Sequence, residues 1–187
     1  MSIQDQLHPE TKQRMQKTID ALKKDFARIR TGRASPALLD GIMVDYYGSP
    51  TPLNQVTNIS VPDARLLMIQ PWDKSMIGAI EKAIMASELG LNPQNDGNVV
   101  RLPIPTLSEE QRKELVKQCK KIGEESKVAI RNIRRDSNEK AKKAEKNKEI
   151  TQDEQKQLLD DMQNLTDEFI SRIDKQLENK EEEIMTL

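Results

Sequence analysis

Apolar side chains recur at Met15, Ile19, Leu22, Phe26 and Ile29, in steps of four, three, four and three, which lays one stripe along a helix and leaves charge on its other faces. A second run opens after the breaker-rich LPIPTL at Ser108-Glu109-Glu110-Gln111, a capping-box pattern, and carries a seam at Leu115, Cys119, Ile122, Ser126, Ala129 and Ile133. It extends to about Lys146. A third run opens on a second capping box, Thr151-Gln152-Asp153-Glu154, with a seam at Leu158, Met162, Leu165, Phe169, Ile173, Leu177 and Ile184. The short polar turn KNKEI between them makes the last two helices antiparallel neighbours. At 1.5 Å per residue these helices are on the order of 40 to 60 Å long, and three narrow stripes close most economically on one another. The periodicity therefore predicts an elongated antiparallel three-helix bundle. Gly123, inside the second helix, costs roughly 1 kcal/mol against Ala, and either close packing or a local bend accounts for it.

Between the first two helices the texture changes. Prolines cluster from Pro36 to Pro105, and GIMVDYYG, TNISV and RLLMIQ read as β-type segments. Lys74 to Leu89 returns to helical spacing through Met76, Ile77, Ile80 and Ile84, with Gly90 as the expected C-terminal cap, and VVRLPI reads as a returning strand. This is an inserted β/α/β domain. The fold class is α+β, with residues 1–30 and 106–187 in the bundle and 31–105 in the insertion. Two crossings join the domains, so Thr31 and Gly32 on one side and Pro103, Pro105 and Thr106 on the other are hinge candidates.

Composition narrows the function classes. The chain is 33% charged, 35% hydrophobic and only 3% aromatic, which suits helices burying narrow seams and argues against a base-stacking platform. No run approaches a membrane span, and MSIQDQLHPE lacks the basic and apolar regions of a secretory signal, so a cytoplasmic protein without membrane attachment is expected. One cysteine, Cys119, and one distant histidine, His8, exclude a Cys/His zinc constellation and a Cys-His nucleophile pair. Cys119 reads as a core thiol and His8, before Pro9, as solvated or capping. The carboxylates Asp45, Asp63 and Asp73 are scattered, with no glycine-rich phosphate loop beside them, so no catalytic residues, cofactor or metal are expected.

A formal net charge of -1 fails the simplest test for a nucleic-acid binder, and any such case rests on distribution. From Leu107 to Lys148 there are fourteen Lys and Arg against eight Asp and Glu, whereas the last helix is acidic. On a helical wheel Lys113, Lys120, Lys127, Arg131, Arg134 and Asn138 share one sector away from Ile133, and Arg131 and Arg134 are expected to point outward. Such a stripe is either a solvated face paired with Glu124, Glu139 and neighbours, or a phosphate-gripping face, since guanidinium forks bind phosphate bidentately. Basic residues at the end of the first helix have an ordinary role against the negative end of the helix dipole, which accounts for Arg28 or Arg30 but not for Arg33 beyond the Thr-Gly break.

IRTGRASPALLDG, YYGSPTPL, KAIMASELGLNP and VAIRNIRRD together resemble the bacterial ribosome recycling factor family along essentially the whole chain. The resemblance implies an L-shaped molecule that works with elongation factor G on the 70S ribosome after peptide release. The partner hydrolyses GTP, the subunits separate, and messenger and deacylated transfer RNA are cleared. It also implies a monomer without catalytic residues that contacts mainly large-subunit ribosomal RNA. Matched residue by residue, the family's RNA-contacting arginines fall on Arg30, Arg33, Arg131 and Arg134, with Arg112 and Arg135 as weaker candidates. The wheel adds Lys127 and Asn138 to that set. A coiled-coil scaffold that recruits helical partners would share the seams and would not bind ribosomes.

Overall fold

In the computed structural model, residues 2–29 and 31–186 are described. Three long helices, α1 (Ile3–Arg28), α3 (Glu109–Lys146) and α4 (Gln152–Met185), pack together. Both capping boxes form reciprocally. The Ser108 N–H donates to Gln111 Oε1 at 2.9 Å while the Gln111 N–H donates to Ser108 Oγ at 3.2 Å, and Thr151 and Glu154 do the same at 2.7 and 3.2 Å. The sequence reading missed a third. Ser2 and Asp5 cap α1, which starts upstream of Pro9 and runs through it.

The α1 stripe is buried at Met15, Ile19, Leu22 and Phe26 and extends back to Thr11 and Leu7, while Ile29 lies past the helix end and is half-buried. Most of the α4 seam is buried as read, from Leu158 to Ile173 and again at Ile184, with Leu177 half-buried. Each fully buried side chain of this size contributes roughly 1.5–3 kcal/mol.

The α3 seam needs correction. Cys119 and Ile133 are buried as expected, but Leu115, Ile122, Ser126 and Ala129 are only half-buried. The innermost line runs instead through Cys119, Gly123, Ile130, Ile133, Ser137, Ala141 and Ala144. This helix packs against two others at once, and close approach selects small residues that an apolar periodicity passes over. A Cβ built on Gly123 would lie 3.4 Å from Leu177 Cδ2, so the glycine is a site of close packing. Ser137 is accommodated by Thr11. The Thr11 hydroxyl donates to the Leu7 carbonyl at 2.7 Å, so its 2.6 Å contact with Ser137 has Ser137 as donor, and neither buried hydroxyl is orphaned.

The inserted region holds a two-stranded hairpin, β1 (Met43–Tyr46) with β2 (Ser49–Pro52), and a four-stranded antiparallel sheet. The sheet comprises β3 (Thr57–Asp63), β4 (Leu66–Pro71), β5 (Gln94–Asn95) and β6 (Val100–Pro103), in the order β3-β4-β6-β5. The helix α2 (Ile77–Ala86) covers it, with Ile80 and Ile84 in one apolar cluster with Val44, Leu67, Ile69, Val100 and Leu102. GIMVDYYG is thus a strand and a turn, and its partner SPTP went unread because Pro50 and Pro52 suit only a hairpin edge. Tyr47 (φ 49) and Gly48 (φ 86) are the two loop residues, with the positive φ at both that a type I′ turn requires. For Tyr47 this costs roughly 1–2 kcal/mol. The helix also stops earlier than expected. Ser87 is the cap, its N–H and hydroxyl both donating to the Ile84 carbonyl, and Gly90 (φ 63) turns the chain three residues later.

Contact density divides the chain into two compact units, Met1–Phe26 with Val116–Glu183, and Ala27–Leu115 with Ile184–Leu187. Among the crossing residues, Thr31 and Gly32 (φ 78) are buried, and Pro103 is held in the sheet opposite Leu66. Ile104 joins the apolar cluster of the insertion, its N–H donating to the Arg65 carbonyl at 2.8 Å, while Pro105 and Thr106 are exposed and outside any regular element.

Candidate nucleic-acid interface

The α3 residues Lys127, Arg131, Arg134 and Asn138 lie three to four apart and span about 16 Å at the helical rise. The structure places this sector along the border with α4, not on an outward face. Lys127 has a side chain only 14% exposed, with its ammonium on the Asp174 carboxylate of α4 and 3.4 Å from Glu124. Asp174, then the Glu124 carboxylate, holds that ammonium charged to a higher pH than an ordinary lysine. Farther from the charge cluster, Lys120 stands 3.9 Å from Glu181, and Lys113 pairs with Glu109 within its own helix. Each of these three lysines thus has a carboxylate partner, and Lys127 is packed against α4 instead of solvated.

The arginines differ. Arg131 is half-buried and Arg135 exposed, and neither makes a hydrogen bond or ion pair among the described residues. Arg134 is half-buried and donates through Nη1 to Gln163 Oε1 of α4 at 2.9 Å, correcting the expectation that it points freely outward. Gln163 in turn donates to Asp167 Oδ1 at 2.8 Å. One edge of the Arg134 fork is thus held by a neutral carboxamide, and the rest of its donors remain for an anion. Asn138 is half-buried, and its Oδ1 is a buried acceptor without a partner. Arg131 and Arg135, without a carboxylate partner among the described residues, and the oriented Arg134 form the patch, with the Asn138 acceptor buried beside them.

The remaining candidates lie elsewhere. Arg33 is exposed just past Gly32, and Arg30 lies outside the described residues. Arg112 donates to the Met185 carbonyl at 3.4 Å, and its Nε is buried without a partner. The sequence reading missed the part played by α4, because Asp174 and Glu181 lie 47 and 61 residues along the chain from the lysines they face. Cys119 is wholly buried, and burial pushes its thiol up to about 11, which leaves no thiolate for chemistry near neutral pH. Among the described residues no cluster of three His, Cys, Asp or Glu could hold a metal, and no helix is long and apolar enough to cross a membrane.

The family described as Ribosome recycling factor matches residues 22–185. A ribosome-recycling factor of Syntrophomonas wolfei is 61% identical over 176 residues, covering 94% of this chain and 95% of that protein. One of Staphylococcus saprophyticus is 56% identical over 95% and 97%, and one of Paraburkholderia phymatum 52% identical over the full length of both. The solution structure of a ribosome recycling factor superposes with a TM-score of 0.80 at 43% identity over all of both chains. A chain from models of the T. thermophilus ribosome recycling factor and the E. coli elongation factor G bound to the E. coli post-termination complex aligns with a TM-score of 0.68. It is 46% identical and covers 99% of this chain and all of that one.

Proposed function

The chain belongs to the ribosome recycling factor family, and from that premise we propose that the arginine patch of α3 is where it grips ribosomal RNA. As a member of that family it is a non-enzymatic translation factor of the cytoplasm that acts with elongation factor G on the post-termination ribosome. The chemistry of GTP hydrolysis belongs to the partner. What this chain contributes is a stiff set of helices, an RNA-facing surface and a joint, and the consequence is separation of the subunits with release of messenger and transfer RNA. One observation carries the assignment of the surface: among the described residues Arg131 and Arg135 pair with no carboxylate, although Lys113, Lys120, Lys127 and Lys140 of the same helix do. An uncompensated arginine pair beside an oriented third suits phosphate contacts, which position a protein on RNA, and a local patch on an otherwise balanced chain rewards a single orientation.

Arg33 and Arg112 are further RNA-contacting candidates, and Arg30 shares the IRTGR motif with Arg33. Lys127 drops out of that set, being committed to α4. For the joint, the exposed Pro105 and Thr106 together with the Thr31-Gly32 turn are better placed than Pro103, which is locked into β6. The domain limits of 1–30, 106–187 and 31–105 are proposed on the same basis.

The test is co-sedimentation with 70S ribosomes over a salt series. Arg131→Ala with Arg134→Ala weakens binding and makes the log-log salt dependence shallower by roughly 0.7–0.9 per lost phosphate contact. Lys127→Ala lowers stability and leaves that slope unchanged. A folded Arg131/Arg134 double variant that binds and splits ribosomes as the parent does would return the patch to ordinary solvated surface.

A further inference from the structure

Where α3 and α4 run past each other, their charged residues keep a common register. Lys120 faces Glu181 and Lys127 faces Asp174, so a step of seven residues forward on α3 matches a step of seven back on α4, about 10.5 Å along each helix. The next step brings Arg134 opposite Asp167, and there the ladder of ion pairs breaks. Arg134 pairs with no carboxylate among the described residues. Gln163, one turn along α4 from Asp167, bridges the two instead: its Oε1 accepts from Arg134 Nη1 at 2.9 Å and its Nε2 donates to Asp167 Oδ1 at 2.8 Å. A carboxamide suits this place because it offers an acceptor to a cation and a donor to an anion at once. It is also neutral, so the guanidinium keeps its charge and most of its five donors. The same bridge forms at the border of α1 and α4, where Arg172 Nη2 donates to Gln16 Oε1 at 3.0 Å and Gln16 Nε2 donates to Asp20 Oδ1 at 3.0 Å.

We propose that Gln163 is a positioning residue for Arg134: it occupies Asp167 and holds the guanidinium off that acid, keeping the fork charged and open to a phosphate of ribosomal RNA. This role rests on the reading of the arginine patch as the RNA grip, and it adds to that grip a residue of α4 that acts through another side chain. Without the carboxamide, Arg134 and Asp167 stand in the register that pairs Lys127 with Asp174, and an ion pair forms between them. Such a pair on an exposed surface changes stability little, but it uses up a cation that would otherwise release a counterion from RNA. A hydrogen bond between Gln and Asp four residues apart also steadies its own helix, as that of Gln157 with Asp161 does at 3.0 Å. A role confined to that would leave ribosome binding unaltered.

The experiment is co-sedimentation of full-length variants with 70S ribosomes over a salt series. Arg134→Ala is the reference and should make the log-log salt dependence shallower by roughly 0.7–0.9, the loss of one phosphate contact. Gln163→Ala should weaken binding and reproduce that shallower slope although Arg134 is still present, at a melting temperature close to the parent's. Adding Asp167→Asn to Gln163→Ala should restore the parental slope, because no acid is then left to capture the guanidinium. A parental slope in Gln163→Ala, or a double variant that stays shallow, overturns the proposal and leaves the RNA assignment standing as long as Arg134→Ala moves the slope. Gln16→Ala breaks the corresponding bridge outside the patch and should leave the slope unchanged; an equal shift there would trace the effect to helix packing and overturn the proposal as well. If Arg134→Ala itself keeps the parental slope, the RNA assignment fails at that residue and the role of Gln163 fails with it.

Discussion

Gly123 offers a sharp test of the packing, because two physical effects act on it and their sum has a definite sign. In a helix interior Gly is about 1 kcal/mol less favourable than Ala. Against this stands the space available: the nearest atoms an added methyl would meet are Leu177 Cδ2 at 3.4 Å, Cδ1 at 3.9 Å and Cγ at 4.0 Å, all on one side chain. Carbon atoms attract best at about 3.5–4.0 Å, so two of these contacts are favourable and the third is short by about a tenth of an ångström. Leu177 is half-buried and can yield that much. Gly123→Ala should therefore stabilise the chain by about 1 kcal/mol, raising the melting temperature by roughly 2–4 °C for a protein of this length. Urea and thermal unfolding followed by far-ultraviolet circular dichroism would measure it. Gly123→Leu should lose about 1–3 kcal/mol, since its extra carbons have only the α4 side chains to enter. A destabilised Gly123→Ala would refute the reasoning, for it would mean that α3 and α4 approach too closely for any Cβ.

Leu165→Ala should cost about 2–5 kcal/mol, because Leu165 is fully enclosed, whereas Leu115→Ala, at a half-buried position, should cost under about 1.5 kcal/mol in the same denaturant titration. Equal losses would restore Leu115 to the core. Cys119 should react with a thiol-directed reagent only as fast as the chain opens, since burial both covers it and raises its thiol to about 11. The same shift sets a pH dependence: the unfolded thiol ionises first, near its usual value, so the contribution of Cys119 to stability is intact below about pH 9 and declines as the pH rises toward 11. Cys119→Ala should flatten that alkaline decline, and an unchanged profile would show that the decline arises elsewhere.

Periodicity along the chain determined the three helices, because stripes repeating every three to four residues have only one way to hide from water, and it placed the Met15–Phe26 face and most of the α4 seam correctly. The Ser108 and Thr151 caps were legible for the same local reason: each satisfies its own helix end within four residues. The family was legible in four uninterrupted motifs. What the tertiary structure decided concerns residues whose neighbours are distant in sequence. The inner line of α3 runs through Gly123, Ser137, Ala141 and Ala144 because two helices press on it together, and apolarity alone gives no weight to smallness. Along the stripe Lys127 and Lys120 face Asp174 and Glu181 of α4, Arg134 is held by Gln163 of α4, and Arg131 pairs with no carboxylate among the described residues, and a wheel drawn for one helix contains no α4. In the hairpin turn, the hydroxyl of Tyr47 is held by Asp73, twenty-six residues farther along the chain. Periodicity reports which face a residue shares with its own helix, and only packing sets which charge or methyl stands across from it.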